Sequence, residues 1–195
     1  SAGTGLARWI GRHVAATVVL FSASMRVLVW GVGVVRATPL ELAGRTPDDA
    51  YYFLVIARNL ASGHGPTFDG VDATTGYQPL WQGLLTAVAL VVPDGQLLRA
   101  SLFVGALLAI AGYLALARVT HTIVALTPFG FAVGLAVASG PVAWERTVNG
   151  MEGAAVVAAL GVLAVAAHRW WSVPSAMAMG MVGAASGLLC LGRTS

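Results

Sequence analysis

The sequence predicts an all-α protein, a polytopic bundle of membrane-crossing helices with one long polar loop near its start. Three observations predict it. Of the 195 residues, 57% are hydrophobic and only 10% charged, and the mean hydropathy is +0.80; a water-soluble domain carries about 25% charge. The apolar residues fall in six long blocks rather than alternating with polar ones. The polar residues gather instead between the first and second blocks, where five of the eight acids lie. A soluble globular domain and a disordered chain are both excluded. The eleven basic residues are all Arg, and a net charge of +3 is too small and too dispersed for a nucleic-acid surface. Cys190 is the one cysteine, so a disulfide framework and a thiolate metal cluster are excluded. Inside an apolar run it reads as a packed small residue.

The blocks are Trp9–Val35, Leu80–Val92, Leu97–Val119, Ile123–Trp144, Met151–Ala167 and Val173–Leu191. A span takes about 17–25 residues, and all but the second qualify. Leu80–Val92 lies between Pro79 and Pro93 and is short enough to re-enter; it spans only by recruiting Tyr77, Gln78 and Gln96–Leu98. Five or six membrane segments follow. Trp9–Val35 is too long for a signal-peptide core. The chain starts Ser1-Ala2-Gly3 without Met and stops at Arg193-Thr194-Ser195 just past an apolar run, so the expectation is one module, 1–195, of a longer protein. The arginines divide evenly between the two sides if every block spans, and lean outward if the second dips; the positive-inside rule does not decide the orientation. An external first loop is assumed. Small residues, including Gly183-Ala184-Ala185-Ser186-Gly187, are expected to let helices pack closely. Arg26, inside the first block, is expected to snorkel outward.

The polar loop, 36–78, has structure of its own. Thr46-Pro47-Asp48-Asp49 is a helix start, Ala50–Ala61 continues it, and Gly63 and Gly65 stop it. Asp49, Tyr52, Phe53, Ile56, Ala57 and Leu60 share one face, which suits a helix lying on the membrane surface. Asp48 and Asp49 read either as a cap with a dipole partner, or as a carboxylate pair serving as general base or hard-cation ligand. His64 reads first as a solvated turn, and Asp69-Gly70 as a turn with Phe68 dipping into the interface. Farther on, Glu152 lies one residue into an apolar block. Burying it unpaired is costly, so it is either a functional group or a helix-start acid, with Asn149 or Gly150 capping.

These runs resemble a family. Thr46-Pro47-Asp48-Asp49-Ala50-Tyr51-Tyr52, Ile56-Ala57-Arg58-Asn59-Leu60-Ala61, Gly63-His64-Gly65-Pro66-Thr67-Phe68-Asp69-Gly70 and Thr74-Thr75-Gly76-Tyr77-Gln78-Pro79-Leu80-Trp81 look like the first external loop of GT-C glycosyltransferases. Asn149-Gly150-Met151-Glu152 resembles the Gly-x-Glu motif of the branch that holds the terminal arabinofuranosyltransferases of actinobacterial cell walls. The resemblance covers Thr46 to Glu152. It implies an inverting enzyme of the plasma membrane that moves arabinofuranose or mannose from a polyprenyl-phosphate donor to a glycan or lipid acceptor at the outer face. Asp48 or Asp49 is then the catalytic carboxylate, with Asp49 expected as base and Asp48 as the capping acid or the ligand of a divalent cation, Mg or Mn. Arg58, His64, Glu152, Tyr52 and Gln78 are the expected substrate-binding residues, with Arg26 and Arg36 as remoter partners for phosphate charge. Glu152 is then on the same side as the aspartates, which requires that the second block not span. Two departures stand out: Arg193-Thr194-Ser195 occupies the place of an Arg-Thr-Asp-like run, and the family's proteins are much longer. A non-catalytic protein of this fold, binding a lipid carrier or assembling with partners, is the alternative; a transporter comes third.

Overall fold

The computed structural model describes residues 21–124 and 140–191, and the regular structure within them is helical apart from one isolated bridge between Thr67 and Ala73. The elements are α1 (21–36), α2 (Pro39–Ala43), α3 (Asp48–Ala61), α4 (Pro79–Ala89), a 3₁₀ turn (Asp94–Gln96), α5 (Leu97–Val124), α6 (Pro141–Thr147), α7 (Gly153–Ser172) and α8 (Ala176–Leu191). Among the described residues two helices are long and apolar enough to cross a membrane, Asp94–Val119 and α7. Large parts of the first and fourth apolar blocks, 1–20 and 125–139, lie outside the described residues, as does 192–195.

The short second block is a short helix. Tyr77 and Gln78 are not helical, Pro79 opens α4, and the helix closes at Leu90 ahead of Pro93. Eleven residues reach only about 16 Å, half the hydrocarbon thickness. Residues Gln96–Leu98 do not extend it, because the chain has already turned at Asp94–Gln96.

The apolar face of α3 docks on this short helix. Ala50, Phe53, Leu54, Ile56 and Ala57 are buried, and Phe53, Leu54 and Ala57 pack with Trp81 and Leu85 of α4, Leu97 of α5 and Ala155 of α7. The stripe expected to lie on a membrane surface is therefore covered by protein, with Ala50 and Leu54 in place of Asp49, which is exposed. An apolar stripe gains as much from a neighbouring helix as from lipid.

The α5 and α7 axes cross where two glycines meet. A Cβ on Gly112 would stand 2.5 Å from the Val157 carbonyl oxygen, and one on Gly161 2.9 Å from Gly112 Cα. Gly105 faces Ala154 while Gly112 faces Val157, so the two helices run parallel and both start beside the polar loop. The expected close packing at Gly183 and Gly187 is not found among the described residues, where neither has a neighbour within 4 Å of an added Cβ. Small residues permit close approach, but only those turned toward a neighbour achieve it. Cys190, expected to be packed, is likewise exposed, because α8 turns Ala178 and Ala185 inward instead.

Arg99 gathers the ends of this arrangement. Its Nε donates to the Val34 carbonyl at 3.4 Å and its Nη2 to that of Ala37, supplying donors to the open end of α1. Arg36, Arg45, Arg58 and Arg99 thus share the loop end, while Arg118 and Arg169 stand at the far ends of α5 and α7.

Candidate functional site

Two segments far apart in sequence meet at the start of α3. Gly150 adopts φ +88°, and a Cβ there would lie 3.1 Å from Ala50 Cβ and 3.6 Å from Thr46 Cγ2. Trp81 fixes the turn from beneath, its Nε1 donating to the Gly150 carbonyl at 3.0 Å. Asn149 Oδ1 accepts from the Met151 amide at 3.1 Å. That side chain is therefore engaged inside the turn, and neither Asn149 nor Gly150 caps α7, contrary to expectation. The N-cap is Glu152 itself, with no side-chain cap bond. Glu152 is half-buried and its Oε2 is enclosed without a hydrogen-bond partner. Ala50 directly follows Asp48 and Asp49, so the Gly150–Glu152 turn and the paired acids occupy one end of the molecule.

Pro47 holds the N-cap of α3 in extended conformation, so Asp48 and Asp49 fill the first two helical positions and make no capping bond. The expected capping role of Asp48 falls on a residue one position too far into the helix. Both acids are exposed beside the positive helix end. Their surroundings differ. Asp48 acts on Tyr51, whose hydroxyl is enclosed without an ordinary hydrogen bond. Burial pushes the Tyr51 pKa up, the neighbouring Thr46 side chain draws it back, and the charge of Asp48 raises it further. Asp49 instead begins the side that carries Tyr52. Tyr52 stacks on Phe68 at 5.3 Å and its hydroxyl bonds Thr74 Oγ1, so it is held by the loop that follows α3.

A cavity of about 910 Å³ opens beside Thr46, between α1, the α2–α3 turn and α6. Its wall is apolar, with Met25, Val29, Val34 and Leu102, and Arg26, Arg45, Glu145 and Asn149 supply polar groups. Thr46 and Asn149 belong both to this lining and to the segments that meet at Gly150. No family model matches the chain, and no curated protein and no solved structure matches it.

The remaining expected site residues lie elsewhere. Arg58 is at the opposite end of α3, about 15 Å from Asp48, where its Nε pairs with Asp94 at 2.9 Å. His64 is exposed in the turn after α3, its amide donating to Asn59 O at 2.9 Å. Gln78 is buried at the N-cap of α4 with Oε1 unpartnered. Arg45 and Glu145 were not singled out from sequence, although Arg45 immediately precedes the Thr46–Asp49 helix start. Among the described residues no three His, Cys, Asp or Glu side chains converge. Asp48 and Asp49 do not form a protein-built cation cage; an Mg- or Mn-type ion there would take its other ligands from phosphate and water.

Proposed function

We propose that the chain carries the donor side of an inverting GT-C-type glycosyltransferase of the plasma membrane, which passes a sugar from a polyprenyl-phosphate carrier to a glycan or lipid acceptor at the outer face. The observation that carries this reading is the cavity that joins an apolar wall to Arg26 and Arg45 and opens beside the Asp48 end of α3. The resemblance of Thr46–Glu152 to GT-C loops gives the reaction class. In this reading the first, third, fourth, fifth and sixth blocks cross the bilayer, α4 does not, and the loop end faces outward.

The chemistry follows from the groups present. A carboxylate of the Asp48-Asp49 pair takes the proton of the acceptor hydroxyl. The freed oxygen attacks the anomeric carbon opposite the phosphate, the C–O bond to phosphate breaks, and the configuration inverts. Arg26 and Arg45 offset the charge that grows on the departing phosphate. The prenyl chain lies along the apolar wall. Asp48 is the better-placed base, because it is on the side of Tyr51 and Thr46, and Thr46 lines the cavity, whereas Asp49 is on the Tyr52 side.

The test is transfer of radiolabelled sugar from a polyprenyl-phosphate donor by membranes holding the full chain. Loss of turnover on Arg45→Gln, with the protein still folded, supports the reading. The placement of Arg58 on Asp94 and of His64 in solvent favours a second reading, a carrier-binding protein without turnover. Donor retained by the wild type but never consumed selects it.

A further inference from the structure

We infer that the end of the molecule opposite the paired aspartates is a contact surface for anionic phospholipid headgroups, built by Arg118, Arg169, Trp170 and Trp171. This rests on the membrane-crossing reading of α5 and α7 and is independent of glycosyl transfer.

The argument begins with charge. All eight acids of the chain stand on the polar loop, on the Asp94 turn, or on the α6–α7 junction that borders the cavity. Because α5 and α7 run parallel, their C-terminal halves point away from every one of them. Arg118 and Arg169 both lie roughly 10 Å beyond the Gly112–Gly161 crossing. Among the described residues the charged side chains at that end are basic only.

Exposure supplies the second part. Trp171 is 82% exposed and Met177, across the α7–α8 turn, 79%; Trp170 and Val173 are exposed beside them. Indole rings in water gain nothing, whereas at a bilayer–water interface the ring rests at headgroup depth with its N–H wet. The length agrees. Gly153–Ser172 is 20 residues, about 30 Å, so a Gly153 end at one interface puts Trp170 and Trp171 at the other. Arg169 in the last turn of α7 also suits the helix dipole, but a dipole partner does not explain two adjacent exposed tryptophans. Anionic lipid accounts for both features, since its phosphate layer attracts exposed basic side chains and its headgroup depth suits exposed indole rings.

The test reconstitutes the full chain in phosphatidylcholine vesicles and measures the association of spin-labelled phosphatidylglycerol relative to spin-labelled phosphatidylcholine. The wild type is expected to prefer phosphatidylglycerol, and R118Q/R169Q to lose about five-fold of that preference per charge. Trp171→Ala, which leaves the charges in place, is expected to weaken association of both lipids. A preference abolished by R36Q/R45Q and untouched by R118Q/R169Q overturns the inference, as does no preference at all. Cross-linking of a Trp171→Cys, Cys190→Ser chain to a second copy overturns it in favour of a protein interface. Release of the chain by alkaline wash overturns it together with the membrane reading.

Discussion

Trp81 and Gly150 are joined by one hydrogen bond of 3.0 Å, from the indole Nε1 of α4 to the carbonyl of the polar turn ahead of α7. Trp81 is fully buried, and the Gly150 carbonyl belongs to a turn whose positive φ takes it out of any helical ladder. The bond therefore ties the short second block to the Gly-x-Glu segment and brings that segment against Ala50.

Trp81→Phe keeps most of the buried ring and removes the donor. A buried carbonyl left without its partner costs about 1–3 kcal/mol. The variant is expected to melt earlier in detergent and to show faster amide exchange at 150–153 than elsewhere. Equal exchange throughout the chain would show that the bond does not hold this turn.

Glycine substitutions separate the required positions from the permissive ones. At Gly150 an alanine meets both an unfavourable φ of +88° and Ala50 Cβ at 3.1 Å. A non-glycine residue held in that region costs about 1–3 kcal/mol. At Gly183 the added methyl meets none of the described residues within 4 Å, and within a helix alanine gains roughly 1 kcal/mol over glycine. Thermal unfolding should rank Gly183→Ala at or above the wild type and Gly150→Ala well below it. Gly112→Ala, aimed at the Val157 carbonyl from 2.5 Å, should be the most damaging of the three.

The extent to which these features were legible in the sequence depended on whether their signal was local. The bounds of α3 followed from Thr46-Pro47-Asp48-Asp49 and from Gly63 and Gly65, because a helix start and a positive-φ stop are written in neighbouring residues. The shortness of α4 followed from Pro79 and Pro93. What covers the α3 stripe did not follow, since Phe53, Ile56 and Ala57 carry the same periodicity whether they meet lipid or Trp81. Gly183 and Gly187 have the spacing of a packing motif, yet the close crossing belongs to Gly112 and Gly161; spacing does not say which face has a neighbour. Aspartate is a good cap, so the sequence favours Asp48 for that position, but the extended Pro47 holds it instead. Arg45 gained its place at the cavity only from the fold, which sets α1 and α6 across from it.

The loop after α3 should loosen in acid through Asp69. Its Oδ1 accepts from the Val71 and Asp72 amides at 2.9 and 3.0 Å. Those two bonds, that to Val71 first, hold its carboxyl below the ordinary aspartate value of about 3.9. A group whose folded pKa is depressed contributes order that is complete above the unfolded value and is lost as pH falls through the folded one. Amide proton shifts of Val71 and Asp72 should therefore titrate below the ordinary aspartate range. In Asp69→Asn that step should vanish. A step that survives in Asp69→Asn would assign the titration to another group.

The two adjacent aspartates should prove unequal. Neighbouring side chains on a helix point about 100° apart, so one attacking position cannot hold both. Pro47 relieves Asp48 of capping, and Asp48 acts on Tyr51, whose neighbour Thr46 lines the cavity together with Arg26 and Arg45. Asp49 stands on the other flank with Tyr52, which is held by Phe68 and Thr74. Asp48→Asn preserves size while removing the proton acceptor, and loss of a general base costs about 10²–10⁴ in rate. Asp49→Asn should cost far less, since it removes only a charge near the helix start, worth about 0.3–1 kcal/mol. The measurement is sugar transfer from a polyprenyl-phosphate donor by the full chain at matched expression. A large loss confined to Asp49→Asn would exchange the two roles. Near-wild-type rates in both variants would remove the general base from this loop altogether.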